Sequence, residues 1–157
     1  MKTLLAITLA SILVISASAQ TTLTAAKVLG ELGPTLVPAV LDSARGGAVP
    51  QNAYFTKDGR FILMLHGPEN DLVSFIVVQY DKVNVEPEFV DFMAKILGNA
   101  FGEGSEPQLW IMKEGKLGRP ETTYARETTY KGAKILLYYN VDRVPFQLLV
   151  DLKLSKR

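Results

Sequence analysis

The sequence predicts an α+β domain: a mainly antiparallel sheet with a bent N-terminal helix and one amphipathic helix, in the order α-β-β-β-α-β-β-β-β. Two observations carry this. Apolar residues recur at helical spacing in only two stretches, 21–45 and Pro87–Phe101. The remaining apolar residues fall in short segments bounded by Gly, Pro, Asn and Asp, and these follow one another in runs without a helix between each pair. That grouping argues against a doubly wound parallel sheet. The composition supports a folded domain, since 48% of the 157 residues are hydrophobic and 21% are charged.

Residues 1–19 are expected to stand outside the domain. A basic start at Met1-Lys2-Thr3 leads into an apolar run from Leu4 to Ile15, and Ala17-Ser18-Ala19 supplies the small residues that a signal peptidase requires. Cleavage before Gln20 is expected, leaving a single domain over 20–157. The apolar run is too short to span a bilayer comfortably, so no stable membrane span is expected after cleavage. Cleavage would remove Lys2, one of 17 bases, and leave 16 against 16 acids.

Thr22 or Thr24 can cap the first helix, and Leu29, Leu32, Leu36, Val40 and Ala44 follow helical spacing. Pro34 predicts a kink or two short helices, Pro38 adds a second strain point, and Gly46-Gly47 ends the segment. Region 51–79 is the clearest β region. Asp58-Gly59 suits a two-residue hairpin turn between residues 54–57 and 60–65, a loop follows from His66 to Asp71, and the next strand covers 72–80. Residues 61–65 and 73–78 are apolar on both alternating faces, which predicts cover on both sides of the sheet.

Pro87–Phe101 carries one apolar stripe, with Pro87 suited to the first turn and Glu86, Glu88 and Asp91 at the positive end of the helix dipole. After a loop at 103–107, residues 108–113 read as a strand, followed by strands at 122–130, 134–139 and 146–154, with turns at Lys131-Gly132 and 140–145. In the last strand Phe146, Leu148, Val150, Leu152 and Leu154 alternate with mostly polar residues, so one of its faces is buried.

The chain has no cysteine, which excludes disulfides, thiolate chemistry and cysteine-held metals; its one histidine excludes a multi-histidine metal centre in a single chain. A net charge of +1 does not point to nucleic acid. No cofactor or metal site is predicted. His66 with Glu69 or Asp71 is the candidate general base of a small secreted hydrolase. Ser74 is close in sequence, but no Gly-x-Ser-x-Gly elbow presents it.

The one short repeat, Glu121-Thr-Thr-Tyr-Ala-Arg126 then Glu127-Thr-Thr-Tyr-Lys-Gly132, has an even period. It therefore places Tyr124, Arg126, Thr128 and Tyr130 on one face of a strand. Hydroxyls, aromatic rings and a guanidinium in a row suit contact with a ligand or a protein. The expectation is an exported periplasmic or extracellular binding module, not an enzyme, that takes a protein, peptide or envelope component. The alternatives are the His66 hydrolase and a structural subunit that assembles by strand addition.

Overall fold

Apolar residues that alternate along a strand make a sheet with one oily face, and that face needs a helix to cover it. A computed structural model, describing residues 22–40, 51–79, 86–115, 123–140 and 144–152, shows how this chain meets the requirement. Its elements run α1 (Ala25–Leu29), a 3₁₀ helix (Gly30–Thr35), β1 (Leu36–Val40), β2 (Gln51–Thr56), β3 (Phe61–His66), β4 (Ser74–Gln79), α2 (Pro87–Phe101), α3 (Glu106–Glu114), β5 (Tyr124–Tyr130), β6 (Ala133–Asn140) and β7 (Val144–Asp151). The strands form a seven-stranded sheet in the order β1-β2-β3-β4-β7-β6-β5. Every pairing is antiparallel, so the predicted α+β class is observed.

Register fixes the faces. Leu63 lies opposite Val77, Val77 opposite Leu148, and Leu148 opposite Leu137. All four are fully buried, and Phe61, Leu65, Phe75, Val150 and Ile135 extend the same surface. The reverse face carries Ile62, Met64, Ile76, Leu136 and Leu149, which are only half-buried, so it is less fully covered than the two-sided apolar pattern of 61–65 and 73–78 predicts.

Helix α2 crosses the inner face. Near its start, Phe89 and Phe92 lie 5.3 and 5.5 Å from the Phe61 ring on β3. At its end Phe101 meets Tyr130 of β5 edge-on at 5.6 Å. Phe89, Met93, Ile96, Leu97 and Ala100 are fully buried, as the apolar stripe predicts. Both α1 and α3 pack on α2.

Two predicted elements change type. The 21–45 segment is helical only to Thr35, and its last described residues are β1, paired with β2. Thr24 caps α1 as expected, its hydroxyl accepting from the Lys27 amide at 3.2 Å. Pro34 sits within the 3₁₀ helix, and Pro38 is tolerated in β1 because that strand is an edge of the sheet among the described residues. Residues 41–50, including Ala44 and Gly46-Gly47, lie outside the described residues, as do 1–21.

The second change is at 108–113, read as a strand and found as helix α3. Ser105-Glu106-Pro107 is a helix start: Pro107 has no amide hydrogen to lose there, Glu106 faces the positive dipole end, and the Leu109 amide bonds the Ser105 carbonyl at 3.0 Å. Pro107 and Ile111, four apart, are its buried residues, while Leu109 is 58% exposed. A strand would have buried alternate residues instead.

The β2–β3 connection is also longer than predicted. Phe55 pairs with Ile62, so Lys57–Arg60 forms a four-residue loop beyond the Thr56/Phe61 ends. Asp58 organises it, accepting from the Thr56 hydroxyl at 2.6 Å and from the Arg60 amide at 3.2 Å. These bonds, with the Arg60 guanidinium 2.6 Å away, hold the Asp58 carboxyl well below the usual carboxylate range.

Candidate functional site

Strand β5 is built by its hairpin with β6. Lys131 and Gly132 have φ of 48° and 80°, the paired left-handed angles of a two-residue turn that matches sheet twist. Tyr130 then closes on Ala133 and Tyr124 on Tyr139. Tyr124, Arg126, Thr128 and Tyr130 lie opposite Tyr139, Leu137, Ile135 and Ala133, all buried. The four therefore share the helix-bearing face, at the rim of the core.

The tyrosines are tied to the helices. Tyr124 donates its hydroxyl hydrogen to Glu114 Oε2 at 3.1 Å, and burial together with this carboxylate pushes its pKa up to about 12. Tyr130 rests edge-on against Phe101. Each is half-buried. Arg126 projects further: its guanidinium lies 4.8 Å from the centre of the Tyr124 ring, with Nε 3.9 Å from the same Glu114 oxygen. Its side chain is still 59% exposed. Glu114 thus positions both the hydroxyl and the guanidinium, and Lys131 Nζ stands 5.1 Å from the centre of the Tyr130 ring at the other end of the row. The even period marks the row but not Glu114, which ends α3, a helix where the sequence of 108–113 predicts a strand.

His66 is at the end of β3, on the reverse face, directly opposite Ser74 of β4. Glu69 and Asp71 are exposed residues of the loop that follows. That loop is pinned by backbone bonds from Val73 N to the His66 carbonyl, 2.8 Å, and from Ala25 N to the Glu69 carbonyl, 2.6 Å. His66 Nε2 is buried with no hydrogen-bond partner among the described residues, and burial lowers its pKa. A lowered pKa means the unfolded chain takes up this proton first. Stability is therefore expected to fall as pH drops through the unfolded histidine pKa of about 6.5 and to level off below the folded pKa. Denaturant melts of wild type and His66→Gln between neutral and acid pH measure this: the slope should be smaller in the variant, and equal slopes would refute it.

A further concavity had no local signal in the sequence. Lys27, Glu31, Lys95, Asn99, Glu103 and Gln108 contribute to the lining of a 590 Å³ groove between the helices. Asn99 Nδ2 donates to the carbonyls of Val28 and Leu29 at 3.1 and 3.0 Å, closing α1 onto α2 across some seventy residues of chain. Among the described residues no cluster of His, Asp and Glu is arranged to hold a metal ion, and no helix is long and apolar enough to cross a membrane. Comparison with known proteins finds no family model, curated protein or solved structure that matches this chain.

Proposed function

We propose that this chain is an exported binding module that takes a protein, peptide or envelope component on the β5 face and performs no chemistry on it. The observation that supports this best is Arg126, exposed yet steadied by the Tyr124 ring and the Glu114 carboxylate. A cation held in place before contact loses less side-chain freedom on binding, and Arg and Tyr are enriched where binding energy concentrates. Thr128 and Tyr130 continue the row toward Lys131. A chain without cysteine and with one histidine also offers few nucleophile–base pairs.

Export is supported by the order of basic, apolar and small residues over 1–19. Intact mass of secreted material is expected to correspond to a chain beginning at Gln20, and one still beginning at Met1 would refute processing. Binding is tested by pull-down from the envelope fraction with wild type and a Tyr124→Ala/Arg126→Ala variant, both checked for folding. Partners are expected to be lost from the variant. Turnover of a defined substrate that disappears on His66→Ala would overturn the reading in favour of the hydrolase.

A further inference from the structure

We propose that the outer edge of β5 pairs antiparallel with β5 of a second copy of this chain, about a two-fold axis at Thr128. The pairing goes beyond the binding role above and does not rest on it. It uses backbone groups that point along the sheet, whereas partner binding uses side chains that stand off it.

Among the described residues, β5 is an end strand of the sheet, and Ala125, Arg126, Glu127 and Thr129 are exposed. An unblunted end strand is a template for another strand. The opposite end strand, β1, is blunted: it is five residues long with Pro38 at its centre, which has no amide hydrogen. Strand β5 has seven residues and no proline.

The turn determines which groups are free to pair. In a two-residue hairpin the closing pair, here Tyr130 and Ala133, is a hydrogen-bonded one, and bonded and non-bonded pairs then alternate. Tyr130, Thr128, Arg126 and Tyr124 therefore direct their backbone groups to β6. Ala125, Glu127 and Thr129 direct theirs outward, the Ala125 carbonyl already accepting from Arg126 Nη1 at 3.3 Å, which leaves Glu127 and Thr129 to carry the pairing.

Side chains then choose the register. A two-fold axis normal to the sheet keeps the helices of both copies on one side and sets one residue opposite itself. Centring on Arg126 or Glu127 would oppose like charges, which is destabilising. Centring on Thr128 opposes two hydroxyls, sets Arg126 opposite Tyr130 of the second copy, and sets Glu127 opposite Thr129. The Glu127/Thr129 pairs, one on each side of the axis, are where outward N–H and C=O groups meet, giving four backbone hydrogen bonds. A net charge of +1 produces little long-range repulsion between copies.

Sedimentation velocity over a concentration series is the first test, and a monomer–dimer equilibrium is expected for the wild-type chain. Thr129→Pro removes one outward amide hydrogen per copy, two of those four bonds, and leaves the bonds to β6 in place. It should weaken dimerisation by about tenfold or more. The absence of native cysteine provides a second, register-specific reading. Residues facing each other in a non-bonded pair have Cα atoms about 4.5 Å apart, within disulfide reach. Thr128→Cys should therefore oxidise to a covalent dimer, whereas Thr129→Cys should not. A wild-type monomer at every concentration would overturn the proposal. So would a disulfide from Thr129→Cys but not from Thr128→Cys, or a dimer that Thr129→Pro leaves unchanged. Retention of every partner by the Tyr124→Ala/Arg126→Ala variant, with the wild-type chain dimeric, would count against the binding role alone.

Discussion

Replacing Phe89 with alanine is expected to destabilise the domain by about 3–5 kcal/mol, and replacing Ile96 by about 2–5 kcal/mol. Both side chains are fully buried on the inner stripe of α2. Truncation removes apolar surface from the core and leaves a cavity that the sheet, fixed by its pairings, fills only in part. Phe92 contributes to the same cluster, since its ring and that of Phe89 both meet Phe61. Changes at 89 and 92 should consequently be non-additive, while 89 and 96 should come closer to additivity. Denaturant midpoints at constant slope measure these losses. Near-zero change in both Phe89→Ala and Ile96→Ala would place α2 outside the core.

Gly67→Ala is expected to cost about 2 kcal/mol or more. Its φ of +107° is strained for any residue with a Cβ, which alone costs about 1–3 kcal/mol. The added Cβ would also lie 2.8 Å from the Val73 amide nitrogen, the donor to the His66 carbonyl. A shift there disturbs more than the loop, because the same loop holds the segment leading into α1 through Leu72 N to the Leu23 carbonyl, 2.9 Å. Leu23 is fully buried. Gly59 is the control. Its φ is +71°, but a Cβ there meets nothing within 4 Å, so Gly59→Ala should lose only about 1–2 kcal/mol. Equal losses in the two variants would show that the close approach at Gly67 has no energetic weight.

The contrast between legible and illegible elements has a common cause. Helix α2 was readable because fifteen residues are enough for a 3.6-residue period to declare itself. The β5–β6 hairpin was readable because Lys131-Gly132 specifies a turn and the flanking Tyr and Thr favour strands. Leu36, Val37 and Val40 fit a helical stripe and a strand equally well over so short a run, and tertiary pairing with β2 decided for the strand. Residues 108–113 were ambiguous in the same way, and the start signal at Ser105-Glu106-Pro107 would have resolved them. The β5 row was legible from its even period. Its link to Glu114 was not, because contact between a helix end and a strand ten residues later depends on how both pack.

Binding through the β5 face is tested most directly by capture from the envelope fraction with the single variant Arg126→Ala. This side chain is 59% exposed, so its removal should change stability by less than about 0.5 kcal/mol and leave the fold intact. Lys113→Ala, on an exposed residue of α3, serves as the control. Partners recovered with wild type and Lys113→Ala, and depleted at least about tenfold with Arg126→Ala, are the predicted result, corresponding to a loss of about 1.4 kcal/mol or more in binding. Equal recovery of every partner with all three proteins would contradict it.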